Sequence, residues 1–108
     1  MANTFKSNLT KNVGTSASSV YTTPSSTQTT LIGLSMGNTT SSPITIDAYI
    51  TRSSVDYYIV KGATVPVGGS LVAVGGDMKV VLQAADVLKV ISSAASSADV
   101  VCSLLEIA

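Results

Sequence analysis

Pro43-Ile44-Thr45-Ile46-Asp47-Ala48-Tyr49-Ile50-Thr51 alternates apolar and polar side chains along its whole length. A β-strand points successive side chains to opposite faces, so the even-numbered positions form one apolar face and the odd-numbered positions a polar one. An α-helix repeats every 3.6 residues and does not produce a period of two. The segment therefore predicts a strand with one buried face.

Shorter runs of the same kind flank this strand, and Gly, Pro, Asn and Ser separate them at intervals of about ten residues. Regular short strands with turn residues between them are typical of antiparallel sandwiches. We therefore predict an all-β fold, an antiparallel β-sandwich or jelly roll of about 7–9 short strands. The other predicted strands are Val20–Pro24, Thr30–Met36, Val55–Val60, Ser70–Val74, Met78–Leu82, Asp86–Ser92 and Ser97–Ile107.

Three of these segments carry further expectations. In Met78–Leu82 the alternation places Met78 inward and Lys79 outward. The Ala-rich stretch Gln83–Ala95 is also compatible with a helix, but its β-branched residues favour a strand. Ser97–Ile107 is apolar on both faces, which predicts a central strand or one that another chain covers.

Residues 1–19 form a separate segment in this reading, an N-terminal arm followed by a flexible joint, and residues 20–108 form the sandwich domain. Phe5, Leu9 and Val13 are the large apolar groups of the arm, and the Gly14–Ser19 stretch has nothing to pack. Two interpretations stay open: a frayed terminus, or an arm that orders on a neighbouring subunit through those three side chains.

The charge content limits the classes of partner that the protein is expected to bind. Six basic and six acidic side chains are scattered singly and make up 11% of the chain, against roughly 25% in ordinary soluble domains. No basic run exists, which argues against nucleic-acid binding and against an anionic membrane surface. So few charges indicate that part of the surface is buried against other chains, as in a homo-oligomer. No apolar stretch approaches the ~18 residues of a membrane span, and the first residues do not resemble a signal peptide.

The side chains that catalysis and metal binding use are scarce. The sequence contains no His, which excludes Ser-His-Asp and Cys-His arrangements and His metal sites. Asp47 and Asp56, on neighbouring predicted strands, are better read as solvated surface groups than as a glycosidase pair. Cys102, between apolar neighbours, is expected to be a buried and inert thiol. We therefore predict no enzyme, no catalytic residues, no metal and no cofactor.

Tyr49, Tyr57 and Tyr58 lie close together on adjoining predicted strands. They are candidates for an exposed binding face for a sugar or a protein. Ordinary cross-strand packing or a subunit contact is the alternative interpretation.

Five segments share a characteristic order of strands and turns: Val20–Pro24, Leu31–Thr40, Pro43–Ile50, Tyr57–Leu71 and Lys79–Leu88. In this order, over about residues 20–107, they resemble a family of small β-sandwich structural proteins of tailed bacteriophages. The family pattern has a Pro-x-Gly turn and a later Gly-Asp type turn. Here Ala85-Asp86 departs from the pattern at the second turn.

The resemblance implies a non-enzymatic virion component that binds other virion proteins, such as major capsid, neck or tail subunits. Capsid decoration or cement is the foremost expectation, and a neck, collar or tail accessory protein is the alternative. It also implies assembly in the host cytoplasm and a final place in the virion. A rival of a different class is a carbohydrate- or receptor-binding fibre module that uses the three tyrosines.

Overall fold

Nine antiparallel β-strands form two sheets in the computed structural model, which describes residues 3–108. The first sheet has the order β1-β9-β3-β6, and β7 also pairs with β3. The second sheet has the order β2-β8-β4-β5. The strands are β1 (Asn3–Val13), β2 (Ser18–Thr22), β3 (Gln28–Asn38), β4 (Ile44–Arg52), β5 (Val55–Val65), β6 (Ser70–Val74), β7 (Val80–Leu82), β8 (Val87–Ser92) and β9 (Ala98–Ile107).

This architecture confirms the predicted all-β class and the antiparallel sandwich. The strand that decided the fold, β4, lies between β8 and β5, and its residues Ile44, Ile46, Ala48 and Ile50 face the core. The Ala-rich stretch forms the strand β8 rather than a helix. The strand with two apolar faces, β9, is central between β1 and β3.

The core lies between the two sheets and is built from the inward residues of every long central strand. Its side chains are mostly Leu, Ile and Val, which suit a pleated buried surface. The largest side chains with almost no exposure are Leu31, Leu34, Met36, Ile46, Leu82, Leu88 and Leu104.

The structure differs from the predicted division at residue 19. Asn3–Val13 is the edge strand β1 of the first sheet, and it pairs with β9 from Asn3 opposite Ile107 onward. Only a short link separates it from β2, which begins at Ser18. The sequence pattern missed this strand because Phe5 and Leu9 point outward, whereas the inward side chains before Val13 are polar. Residues 1 and 2 of the predicted arm lie outside the described part.

Met78 is a second difference. It belongs to a turn before β7, where its amide N–H donates to the Gly75 carbonyl, and its side chain is 47% exposed. The strand itself begins at Val80, and Leu82 is the buried residue. Because this turn occupies the positions before Val80, the strand is shorter than predicted and Met78 lies outside it.

The β4–β5 hairpin closes through Ser53 and Ser54, with Arg52 paired to Val55. Both serines have positive φ values, 53° and 63°. A two-residue hairpin loop of this hand matches the twist of the flanking strands, and it usually selects Asn or Gly. This turn fixes the register of the hairpin. Because serine seldom adopts a positive φ, its presence at both turn positions has a conformational cost.

Candidate functional site

Large apolar side chains cover the outward surface of the first sheet, the side that faces away from the core. We call this surface the apolar face. Phe5 and Leu9 of β1 are 76% and 74% exposed, Val72 of β6 is 64% exposed, and Val101 of the central β9 is 49% exposed. Its members are Phe5, Leu9, Ile32, Val72, Val81, Val101 and Leu105.

Strand register arranges the apolar face in cross-strand rows. One row runs from Leu9 through Val101 and Ser35 to Val72, each residue opposite the next. Directly opposite side chains on one face of an antiparallel pair lie close enough to contact each other. This row therefore crosses the full width of the sheet and carries no charge.

A second row runs parallel to the first, from Phe5 through Leu105 and Thr30 to Val81. It also crosses the sheet from the β1 edge to the opposite edge, which β7 forms at this end. Its polar member is a threonine, which is uncharged.

Small residues separate the two rows. Ser7 lies opposite Ser103, and Ser103 lies opposite Gly33. Ser7 and Ser103, together with Phe5 and Ile32, help to line a shallow groove of about 370 Å³. The apolar face thus has two ridges with a depression between them.

Charge on this surface is confined to one end. Lys11 and Asp99 form an ion pair there, with Nζ and Oδ2 3.5 Å apart. The Asn12 amide N–H also donates to Asp99 Oδ1. Both charges are therefore compensated locally, and the rows themselves stay neutral.

The outward surface of the second sheet is different in character, and we call it the charged face. Asp47, Tyr49 and Thr51 of β4 point outward there, opposite Ile91, Lys89 and Val87 of β8. Its charged members are Asp47, Asp56, Lys61 and Lys89. The two outer surfaces of this sandwich are therefore unlike each other.

The structure separates the three tyrosines that the sequence grouped. Tyr49 and Tyr58 are opposite each other on the charged face, with ring centroids 4.9 Å apart, and Lys61 Nζ lies 4.7 Å from the Tyr58 centroid. Tyr49 is only 7% exposed. Tyr57 is opposite Ile50 and so points to the other side of the sheet. The three side chains do not share one platform.

Burial is the main influence on the pKa of Tyr49. It raises the pKa of Tyr49, and the nearby Asp56 carboxylate raises that pKa further. Tyr49 therefore stays a neutral phenol that packs against its neighbour rather than a reactive group.

The predicted contact residues of the N-terminal segment are also divided. Phe5 and Leu9 belong to the apolar face. Val13 lies in the protein's own core and is 1% exposed, since the strand register shifts between Thr10 and Val13. Phe5 and Leu9 therefore remain available for a contact with another chain, and they point in the same direction as Val101.

Two carboxylates are buried, and each has a cationic partner. Glu106 accepts a hydrogen bond from the Tyr21 hydroxyl at 2.5 Å, and its other oxygen lies 3.1 Å from Lys6 Nζ. The Tyr21 hydroxyl also lies 2.9 Å from Thr29 Oγ1. Because β2 belongs to the second sheet and β9 to the first, this cluster joins the sheets across one end of the core.

The pKa shifts in this cluster follow from the contacts. The Tyr21 hydrogen bond and the Lys6 ammonium hold the pKa of Glu106 below its usual range despite burial. Burial and the same hydrogen bond raise the pKa of Tyr21 to about 12. Glu106 is therefore ionised and Tyr21 neutral at pH 7.

Asp86 is the second buried carboxylate, and its partner Arg52 is half exposed. Arg52 contacts both of its oxygens, with Nε–Oδ1 at 2.8 Å and Nη2–Oδ2 at 2.6 Å, and the Gln83 amide N–H donates to Oδ2 at 2.8 Å. The Arg52 hydrogen bond is the main cause of the lowered pKa of Asp86. A bidentate pair of this kind fixes loop geometry, here between β4 and the turn before β8.

The carboxylates of Asp47 and Asp56 have separate structural partners. Asp47 Oδ1 accepts from the Gly62 amide N–H at 2.6 Å, and Asp56 Oδ1 accepts from the Thr51 hydroxyl at 2.8 Å. Gly62 has a φ of 69°, so Asp47 helps to hold an irregular point of β5. Both groups serve local backbone and side-chain geometry.

Cys102 is fully buried under the apolar face, on the core side of β9. Burial raises the pKa of its thiol to about 11. Among residues 3–108 no group of three or more Cys, Asp or Glu side chains is arranged to hold a metal ion. The same part of the chain contains no helix long and apolar enough to cross a membrane.

The comparisons with known proteins add a likeness of fold. No protein-family model and no curated protein matches this sequence. The chain is similar in structure to a protein of Bacillus endospore appendages, which form a family of disulfide-linked pili. The TM-score is 0.56 at 16% sequence identity, over 96% of this chain and 86% of that one. At this identity the likeness shows that the two share a fold.

Proposed function

We propose that this protein is a non-enzymatic structural subunit that assembles with further copies of itself into a multi-copy structure. The observation that carries the proposal is the apolar face, which spans the width of a sheet and which no segment of residues 3–108 covers. Exposed apolar patches larger than a few hundred Å² are uncommon on soluble monomers, and they mark interaction sites.

The chemistry of the chain is consistent with this role. Glu106 and Asp86, the buried carboxylates, are engaged with Lys6 and Arg52 and link elements of the fold. Cys102 is sealed in the core with its thiol protonated at neutral pH. These groups stabilise the sandwich and are not poised toward a substrate.

The structural likeness supports the same class of role. The endospore appendage protein builds pili, which are polymers of repeated subunits, and it has the same fold. The sequence resemblance to phage sandwich proteins also favours a repeated structural component. Capsid decoration is the narrower proposal from that resemblance, with a neck, collar or tail position as its alternative and virion proteins as further partners. A surface appendage is the narrower proposal from the structural likeness.

A fibre module that binds carbohydrate or receptor is a weaker candidate. It requires Tyr49, Tyr57 and Tyr58 on one exposed surface, whereas Tyr49 is buried and Tyr57 points away from the other two.

The test is the molar mass of the purified chain by light scattering across a wide concentration range, with electron microscopy of the concentrated sample. We expect a mass that rises with concentration, or a discrete oligomer. A mass that stays at 10.9 kDa throughout would contradict self-assembly. Antibody labelling of phage particles and of cell or spore surfaces would then separate the two narrower proposals.

A further inference from the structure

We infer that two copies of this chain pair face to face through the apolar face, around a twofold axis, to give the building block of the assembly. The inference rests on the proposed function and names the surface and the partner that self-assembly uses. The occupant of the apolar face is the same face of a second copy.

The first argument is size. The strands β1, β9 and β3 have 10 or 11 residues each, and the shorter β6 and β7 share the far edge. At a strand spacing of about 4.8 Å and about 3.3 Å per residue, they cover roughly 600 Å² as a flat sheet. Standing side chains add accessible surface to that figure. Stable specific interfaces bury about 800 Å² on each partner. The apolar face is therefore about as large as a stable dimer requires.

The second argument is shape. Two sheets that pack face to face interdigitate their side chains at a spacing of about 10 Å, with strand directions about 30° apart. The apolar face offers ridges at the Leu9–Val101 row and the Phe5–Leu105 row, with the Ser7–Ser103 depression between them. A ridge of one copy fits the depression of the other when the two are offset, and a twofold axis makes this fit reciprocal.

The third argument is charge, and it selects the partner surface. The other broad surface of the sandwich carries Asp47, Asp56, Lys61 and Lys89, which lose hydration when an apolar sheet covers them. Head-to-tail stacking of the apolar face on the charged face is therefore unfavourable. Like-with-like stacking buries apolar side chains on both copies and leaves the charged faces in water.

A strongly charged partner is disfavoured for a related reason. At the outward register positions of the first sheet's strands within residues 3–108, the charged side chains are Lys11 and Asp99, which compensate each other. The whole chain has a formal net charge of zero. The surface offers no field to attract an acidic or basic partner, and none to repel a second copy.

The experiment compares four proteins by light scattering and sedimentation: the unmodified chain, Leu9→Lys, Val72→Lys and the control Val67→Lys. Leu9 and Val72 are at opposite ends of one row, whereas Val67 is a similarly exposed apolar residue of the β5–β6 loop that belongs to neither row. All three positions are more than half exposed, so the folded monomer tolerates the lysine. Far-UV circular dichroism verifies that each variant is folded.

We expect Leu9→Lys and Val72→Lys to raise the dimer dissociation constant by at least about 100-fold, since a twofold interface counts each substitution twice. Val67→Lys should associate like the unmodified chain. If the unmodified chain associates and both face variants associate equally well, the pairing surface is wrong and the proposed function stands. If the unmodified chain stays monomeric at every concentration, both the proposed function and this inference are wrong.

A second measurement locates the contact directly. Ser103→Cys places a thiol near the centre of the apolar face, and Lys89→Cys places one on the charged face. The native Cys102 is buried and does not compete in the folded protein. A short bismaleimide should link Ser103→Cys into covalent dimers and leave Lys89→Cys mostly unlinked. The reverse pattern would overturn the inference.

Discussion

Replacing Tyr21 by phenylalanine removes one oxygen atom from the cluster that joins the two sheets. The ring and its packing remain, but Glu106 Oε2 loses the hydroxyl donor that now lies 2.5 Å away, and Thr29 Oγ1 loses a neighbour at 2.9 Å. Glu106 is 9% exposed, so water replaces the lost donor only in part. A hydrogen bond to a charged group contributes about 1.5–3 kcal/mol, and we expect a loss of that size at pH 7.

The loss should depend on pH in a definite direction. The Tyr21 hydroxyl lowers the pKa of Glu106 in the folded state, so over the acidic range the unfolded chain binds more protons there than the folded one. The resulting stability is fully present above the ordinary glutamate pKa of about 4.3 and is lost as the pH falls through the lower folded value. In Tyr21→Phe this contribution shrinks, so the gap between the two proteins should narrow on acidification.

The assay is urea unfolding followed by circular dichroism at pH 7 and at several values down to pH 3. Tyr57→Phe is the matched control, because Tyr57 is 56% exposed and the same atom is removed from a solvated side chain. It should change the free energy of unfolding by less than about 0.5 kcal/mol. A Tyr21→Phe effect of that small size, or one that is constant with pH, would refute the account of the cluster.

The remaining predictions concern other buried groups. Ile46→Asp should leave the chain unfolded or insoluble, because it puts a carboxylate at a core position with 0% exposure, whereas Thr45→Asp on the outward side should fold by circular dichroism. Cys102 should react with a thiol reagent only as fast as the protein unfolds, because its thiol is buried and its pKa is about 11; rapid labelling would contradict this. Asp86→Asn should lower the melting temperature at neutral pH because Arg52 loses its charged partner, and the difference should fade as the pH falls through the lowered pKa of Asp86.

The alternation of apolar residues was enough to predict the class of fold and most of the strands. On the inward faces of β4 and β8 each residue is Ile, Ala, Leu or Val, apart from Ser92 and the terminal Arg52, so the period of two reports burial directly. The same rule failed for β1, where the inward residues include Lys6 and Asn8. Those side chains lie at the seam between the sheets, and there they contact Glu106 and the Val20 carbonyl.

The candidate site was predictable only in part. The apolar outward side of β9, with Val101 and Leu105, was readable because the strand is apolar on both faces. Val72 and Val81 were not, since their place beside Ser35 and Thr30 depends on which strands pair and in which register. The tyrosines were misleading because neighbours in sequence, such as Tyr57 and Tyr58, point to opposite sides of a strand.

The pairing of Asn3 with Ile107 has a mechanical consequence. Because β1 and β9 are antiparallel neighbours, Asn3 and Ile107 lie at the same corner of the sandwich. A force that pulls Asn3 and Ile107 apart acts across the strands and breaks the β1–β9 hydrogen bonds one after another, starting at this corner. An assembly of these subunits that bears load is therefore expected to transmit tension through its packed faces rather than along the backbone from one end of a subunit to the other.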